Sequence, residues 1–111
     1  MIVVSARTAA AILLGVKHDL KMENSTAFRK ALEASWGTEP LVVLDLADVD
    51  FIDSSGMGVL IHAADVLRGA KRKLALLHVN KVISSVLKLS GIQEILPVLD
   101  PEEFDKHFGP G

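Results

Sequence analysis

The run Leu41-Val42-Val43-Leu44-Asp45-Leu46, a short acidic stretch to Asp53, and then Ser54-Ser55-Gly56-Met57-Gly58-Val59-Leu60 decide the fold of this 111-residue chain. The first run is aliphatic but for Asp45, as expected of a strand buried on both faces. After the acidic loop, Met57, Leu60, Ile61, Ala64 and Leu67 recur at helical spacing until Gly69, which predicts an amphipathic helix opening at the serines. A strand, a tight loop and a helix in that order form the elementary step of an α/β sheet.

Upstream, Ile2 to Ser5 and Ala9 to Val16 are β-compatible runs separated by Ala6-Arg7-Thr8, a break of hairpin length. The polar segment from His18 to Glu23 leads to Ala27, Phe28, Ala31, Leu32 and Trp36 at helical spacing. This predicts a first helix from Ser25 to Trp36, with Asn24 or Ser25 as cap and Gly37 and Pro40 as its end. Downstream, Lys71-Arg72-Lys73 reads as a solvated lead-in to a strand over Leu74–Val79. Val82, Val86, Leu87 and Leu89 mark a third helix ending at Ser90-Gly91. A short strand near Ile95–Val98 and a capped helix start at Asp100-Pro101-Glu102-Glu103 close the pattern. The expectation is one α/β domain over residues 1–108, with a mixed sheet of four to five strands, a leading antiparallel hairpin, βαβ units and about four helices. Residues 109–111 are expected to be a disordered tail.

Composition narrows the function. Twelve basic and 14 acidic residues are mixed along the chain for a net charge of -2, which gives no footprint for direct nucleic-acid binding. With no cysteine, disulfides, thiolate chemistry and Cys-based metal sites are excluded. The four histidines are scattered and form no H-x-x-x-H pair, so neither metal nor cofactor is expected. The opening residues Met1 to Ala6 carry no basic charge and no small-residue cleavage site follows, which argues against a leader peptide. No apolar stretch reaches the roughly 20 residues of a spanning helix. A cytoplasmic protein without membrane insertion, monomeric or weakly dimeric, is the resulting expectation.

Asp53-Ser54-Ser55-Gly56 concentrates the chemistry. Asp53 or Ser54 can serve simply as a helix cap. The glycines need more, because Gly56 and Gly58 in the first turns each cost roughly 0.5–1 kcal/mol relative to alanine. They strip side chains from the surface beside two hydroxyls at the carboxyl end of a central strand, where open α/β sheets carry their sites. A serine hydrolase elbow is absent, since Ile52 stands where its first glycine belongs. A phosphate-binding loop is absent too, as nothing matches G-x-x-x-x-G-K-[ST]. Asp45, Asp48 and Asp50 lie near in sequence, but only Asp53 adjoins the hydroxyls.

The motif I-D-S-S-G-M-G-V-L after L-V-V-L-D-L resembles the signature of anti-sigma factor antagonists of the STAS superfamily, whose pattern is D-S-[ST]-G-[LM]-G. The later run K-L-A-L-L-H-V-N-K-V-I-S-S-V-L-K-L-S-G-I-Q-E-I-L-P-V is similar to that family's following strand, helix and turn, so the likeness covers residues 2 to 108. The resemblance implies a STAS fold with no catalysis of its own. It implies that Ser54 is phosphorylated by an anti-sigma factor with GHKL-type serine kinase activity and reset by a PPM-type phosphatase. The unphosphorylated protein would bind the kinase and release a sigma factor. The binding face would comprise Asp53, Ser54, Ser55, Gly56, Met57 and Gly58, with Asp19 and Lys21 from the preceding loop. In this picture Ser55 is the capping or supporting hydroxyl, and both glycines form the cleared ground. One departure stands out: family members often carry G-E-L-D before the first helix, whereas this chain reads Gly15-Val16-Lys17-His18-Asp19-Leu20-Lys21, with lysine at the aspartate. The alternative implied by the same fold is a non-switching subunit of a stressosome-like assembly or a lipid-transport ABC complex.

Overall fold

The computed structural model describes residues 2–109. Its elements are β1 (Ile2–Arg7), β2 (Ala11–Val16), α1 (Ser25–Ser35), β3 (Leu41–Asp45), α2 (Ser54–Gly69), β4 (Lys73–Leu77), α3 (Lys81–Ser90) and α4 (Pro101–Phe108), with single 3-10 turns at Met22–Asn24 and Ile92–Glu94. The four strands form one sheet in the order β1-β2-β3-β4. β1 pairs antiparallel with β2, and β2, β3 and β4 run parallel. The hairpin, the crossovers and the four helices follow the sequence expectation.

Alternation along the strands divides the core. Ile12, Leu14, Val42, Leu44, Leu74 and Leu76 face one side, where Phe28 and Leu32 of α1, Leu60 and Leu67 of α2, and Ile83 and Leu87 of α3 cover them. The intervening Leu13, Val43, Ala75 and Leu77 face the other side, with Phe104 and Phe108 of α4 and Leu99 packed against them. Successive strand residues point to opposite faces, so the unbroken aliphatic runs of β2 and β3 supply both layers.

Four details differ from expectation. The hairpin turn falls at Thr8–Ala10 rather than Ala6–Thr8, because the Thr8 hydroxyl accepts the Ala10 and Ala11 N–H groups at 3.2 and 3.0 Å and fixes the reversal there. In α3, the inward stripe is Ile83 and Leu87, while Val82, Val86 and Leu89 face solvent, Leu89 at 89% exposure. Both stripes have helical spacing, and Asn80, whose side chain accepts the Ile83 N–H at 2.8 Å, sets the rotation that chooses between them. The expected strand near Ile95–Val98 reduces to a parallel bridge between Val98 and Leu76. Arg72 is not a solvated lead-in: its guanidinium donates to the carbonyls of Glu39 and Gly37 at 2.7 Å each and lies over the Trp36 ring. With the Arg7–Glu39 ion pair at 2.7 Å, it closes the turn between α1 and β3. At the far end, the expected capped helix start takes the form of a capping box between Asp100 and Glu103, while Pro110 and Gly111 of the expected tail lie outside the described residues.

Candidate functional site

The site grows from the loop that leaves β3. Asp53 is the N-cap of α2, and its Oδ1 accepts the Gly56 N–H at 2.9 Å. Its other oxygen accepts the Met22 N–H, also at 2.9 Å. One carboxylate therefore caps a helix and ties it to the loop between β2 and α1. The Gly56 N–H, followed by those of Met22 and Ser55 and by the charge of Lys21, holds the Asp53 carboxyl below the usual carboxylate range against the opposing effect of burial. Hydrogen bonds to the ionised form account for that direction.

The 18–24 segment is strapped to the site along its length. Leu20 donates to the Phe51 carbonyl at 3.1 Å and accepts from the Asp53 N–H at 3.0 Å, a parallel bridge with Ile52. Asp19 Oδ1 accepts the N–H groups of Asp50 and Phe51 at 2.8 and 3.3 Å. The Asn24 side chain accepts from the Lys21 N–H at 3.1 Å and donates to the Asp19 carbonyl at 2.8 Å, holding the turn in shape. Leu20, within a segment that reads as polar in sequence, is wholly buried and anchors the strap. Sequence reasoning missed it, although a lone leucine between charged residues was the available signal.

The residues singled out by sequence separate into two roles. Ser54, the first residue of α2, is exposed, as is Gly58 one turn later. Ser55 and Met57 are half-buried, and Met57 packs against the core. Lys21 lies beside Asp53, whereas the Asp19 carboxylate is spent on holding the 50–51 backbone. Two expectations are corrected. The cap is Asp53 and not Ser55, because the carboxylate reaches the Gly56 N–H. Gly56 is not cleared ground: it is buried, and a Cβ there would lie 2.6 Å from the Leu20 carbonyl oxygen. Gly56 lets the strap approach the helix, while a Cβ at Gly58 would meet nothing within 4 Å.

Chemically, the arrangement offers an exposed hydroxyl at a helix N-terminus. Asp53 is engaged through both oxygens, and no group of three or more His, Asp or Glu suited to a metal exists among the described residues. Nearby, His78 meets Asp45 at the end of β3 at 2.9 Å and Lys17 pairs with Asp48 of the loop at 2.9 Å, so these two acids are already partnered.

Comparison with known proteins agrees with this architecture. The STAS domain pattern matches residues 3–104. The chain belongs to the STAS domain family. Over 61 residues this STAS domain is 33% identical to the anti-sigma F factor antagonist of Paenibacillus polymyxa, a match covering 55% of this chain and 52% of that protein. The STAS chain thus spans about half the length of that relative. Among solved structures, an anti-sigma factor antagonist from Mycobacterium paratuberculosis superposes with a TM-score of 0.80 at 18% identity, covering 96% of this chain and 92% of that one. The anti-sigma factor antagonist SpoIIAA in its unphosphorylated form gives 0.74 at 17% identity, with coverage of 96% and 95%. The phosphorylated form of SpoIIAA, a Bacillus cell fate determinant, gives 0.69 at 17% identity, with coverage of 96% and 97%. At these identities the structural matches establish the shared fold. No helix among the described residues of this STAS domain is long and apolar enough to cross a membrane.

Proposed function

We propose that this STAS domain is a phosphorylation-controlled anti-sigma factor antagonist with Ser54 as the acceptor. The observation that carries the reading is the placement of Ser54: exposed, first in α2, and set between the Asp53 cap and the side-chain-free Gly58. The names of the relatives support the anti-sigma class, and the two forms of SpoIIAA show that a protein of this fold exists with and without phosphate. Unphosphorylated, the chain binds an anti-sigma factor with serine kinase activity and frees a sigma factor. Phosphorylated, it lets go, and a PPM-type phosphatase restores it. The binding face consists of the α2 start with Lys21 and the strap beside it.

The electrostatics suffice for release. A phosphate adds about -1.5 to -2 charges at neutral pH. Facing a partner anion at about 6 Å with an effective dielectric of 20, each unit charge costs roughly 2.8 kcal/mol, so the full group costs up to ~5 kcal/mol. Half of that weakens binding nearly a hundredfold. The chain acts as substrate and binder; the transfer chemistry belongs to the kinase.

The test is incubation of the purified protein with ATP and its cognate anti-sigma factor kinase, read by intact mass and peptide mapping. One added phosphoryl group at Ser54 is expected, with none on Ser54→Ala and loss of kinase binding on Ser54→Asp. Equal modification of Ser54→Ala, or undiminished binding of Ser54→Asp, overturns the proposal.

A further inference from the structure

At the end of α2 remote from Ser54, a second feature stands outside the proposed switch. A cavity of about 330 Å³ opens between the last turn of α2, the start of β4 and the 94–97 segment. Its floor is apolar, from Ala64, Leu74, Ile95 and Pro97, and its rim carries Arg68, Lys71, Arg72 and Lys73 against the single carboxylate of Glu94. A larger groove of about 520 Å³ adjoins it, floored by Leu41, Ala75 and Leu99 among others, and Lys71, Lys73 and Pro97 line both. The two lysines therefore stand on the ridge between two largely apolar hollows, the second of which also carries Glu103 and His107.

The four rim cations are not equivalent. Arg68 pairs with Asp65, and Arg72 is committed to the Gly37 and Glu39 carbonyls and to Trp36. These two have structural duties, and Arg68 in the last turn of α2 also complements the helix dipole. Lys71 and Lys73 are exposed and make no ion pair among the described residues. Lys71 is moreover held at a φ of 61°, a left-handed conformation that costs a lysine energy and a glycine none. The left-handed turn at Lys71 closes the C-terminus of α2, with the Lys71 and Arg72 N–H groups donating to the Arg68 and Leu67 carbonyls at 3.0 and 2.8 Å, a turn that glycine would serve without strain. Sites of 300–1,000 Å³ with apolar walls and a few convergent polar groups are typical of small-molecule binding.

The geometry points to a binding site for a small amphipathic anion, one with a carboxylate or phosphate head held by Lys71 and Lys73 and a hydrocarbon body lying on the Leu74–Ile95–Pro97 floor. Electrostatic attraction selects the head, and burial of apolar area supplies the affinity. The site lies roughly 22 Å from Ser54 along the 16-residue α2, and it stands or falls independently of phosphorylation.

The protein carries its own reporter. Trp36 is the only tryptophan, and its ring lies 5.9 Å from the guanidinium carbon of Arg72, a residue of the cavity wall. Trp36 emission is followed during titration with decanoate and decyl phosphate below their micelle concentrations, with decanol and inorganic phosphate as single-feature probes. A saturable change is expected with both amphiphiles, at least about tenfold weaker with either single-feature probe. The variant Lys71→Gly/Lys73→Gln is expected to lose that affinity while its Tm holds or rises, since glycine relieves the left-handed strain. Equal affinity for decanol, unchanged affinity in the double variant, or no saturable response to either amphiphile overturns the proposal.

Discussion

Adding one methyl group to each glycine at the start of α2 should shift stability in opposite directions. At Gly58 the new Cβ has nothing within 4 Å, so alanine gains its helical advantage of about 0.5–1 kcal/mol without a clash. At Gly56 the Cβ would lie 2.6 Å from the Leu20 carbonyl oxygen and 2.7 Å from the Leu20 Cβ. Carbon atoms rest at about 3.5–4.0 Å from one another, and Leu20 is pinned by full burial and by its bond from the Asp53 N–H at 3.0 Å. Overpacking of this kind costs about 1–3 kcal/mol, which exceeds the helical gain at most of its range. For a chain of this size 1 kcal/mol corresponds to roughly 4 °C or more. Thermal unfolding followed by circular dichroism should thus show Gly58→Ala melting about 2–4 °C above wild type and Gly56→Ala melting below it. The same pair separates folding from recognition. A helical side chain leans toward the N-terminus, so an alanine at 58 projects over Ser54, and the stabilised Gly58→Ala should be phosphorylated more slowly. A Gly58→Ala midpoint below wild type, or a Gly56→Ala midpoint at or above it, refutes the steric reasoning.

Leu20→Ala should cost about 2–5 kcal/mol in chemical denaturation, as for other large-to-small changes in a core, although the residue sits in a loop; a loss below 1 kcal/mol contradicts its role as the anchor of the strap. Asp53 should make stability fall on the acid side: its carboxyl is held below the usual value of about 3.9, so its contribution is complete above that value and disappears as pH falls through the lower native one. Melting points of wild type and Asp53→Asn between pH 6 and 2.5 should converge toward the acid end, because asparagine keeps a cap but has no charge to lose; parallel curves speak against it. Arg72→Gln should destabilise by about 1–2 kcal/mol through the two carbonyls left without their charged donor and should shift Trp36 emission; an unchanged spectrum contradicts the stacking geometry.

The layers of the fold were legible because β2 and β3 are aliphatic on both faces, and only a sheet covered on both sides has use for such strands. The start of α2 was legible for a local reason as well, since Asp53, Ser54 and Ser55 are all capping residue types directly before a helical apolar stripe, although only the structure shows that Asp53 is the one that caps. What escaped was tertiary. Val82, Val86 and Leu89 have the same helical spacing as the buried pair Ile83 and Leu87, and only the Asn80 cap against the 49–50 backbone decides which stripe turns inward. Arg72 sits between two exposed lysines and shares their composition, yet its partners lie 33 and 35 residues away. The two glycines of the motif likewise look alike on paper and differ only because Leu20 lies against one of them.

That difference bears on how the proposed switch operates. A phosphate on Ser54 meets the N-terminus of α2, which favours an anion by roughly 0.3–1 kcal/mol at an exposed site, and it also meets the ionised Asp53 carboxylate beside it, which opposes it. The two influences have opposite signs and act across solvent, so neither drives a rearrangement of the helix. The strap is held by Leu20 burial, by two backbone hydrogen bonds of Leu20, one donated to Phe51 and one accepted from Asp53, by Asp19 and by the bond from the Met22 N–H to Asp53, none of which involves the Ser54 hydroxyl. Modification therefore leaves the scaffold as it is and changes only the charge and bulk presented above Gly58. On this reading the switch needs no second conformation of the STAS domain, and the phosphorylated and unphosphorylated proteins should give superimposable amide exchange throughout β2, β3 and the strap. Altered protection at Leu20 or Met22 after phosphorylation would instead mean that the signal travels through the fold.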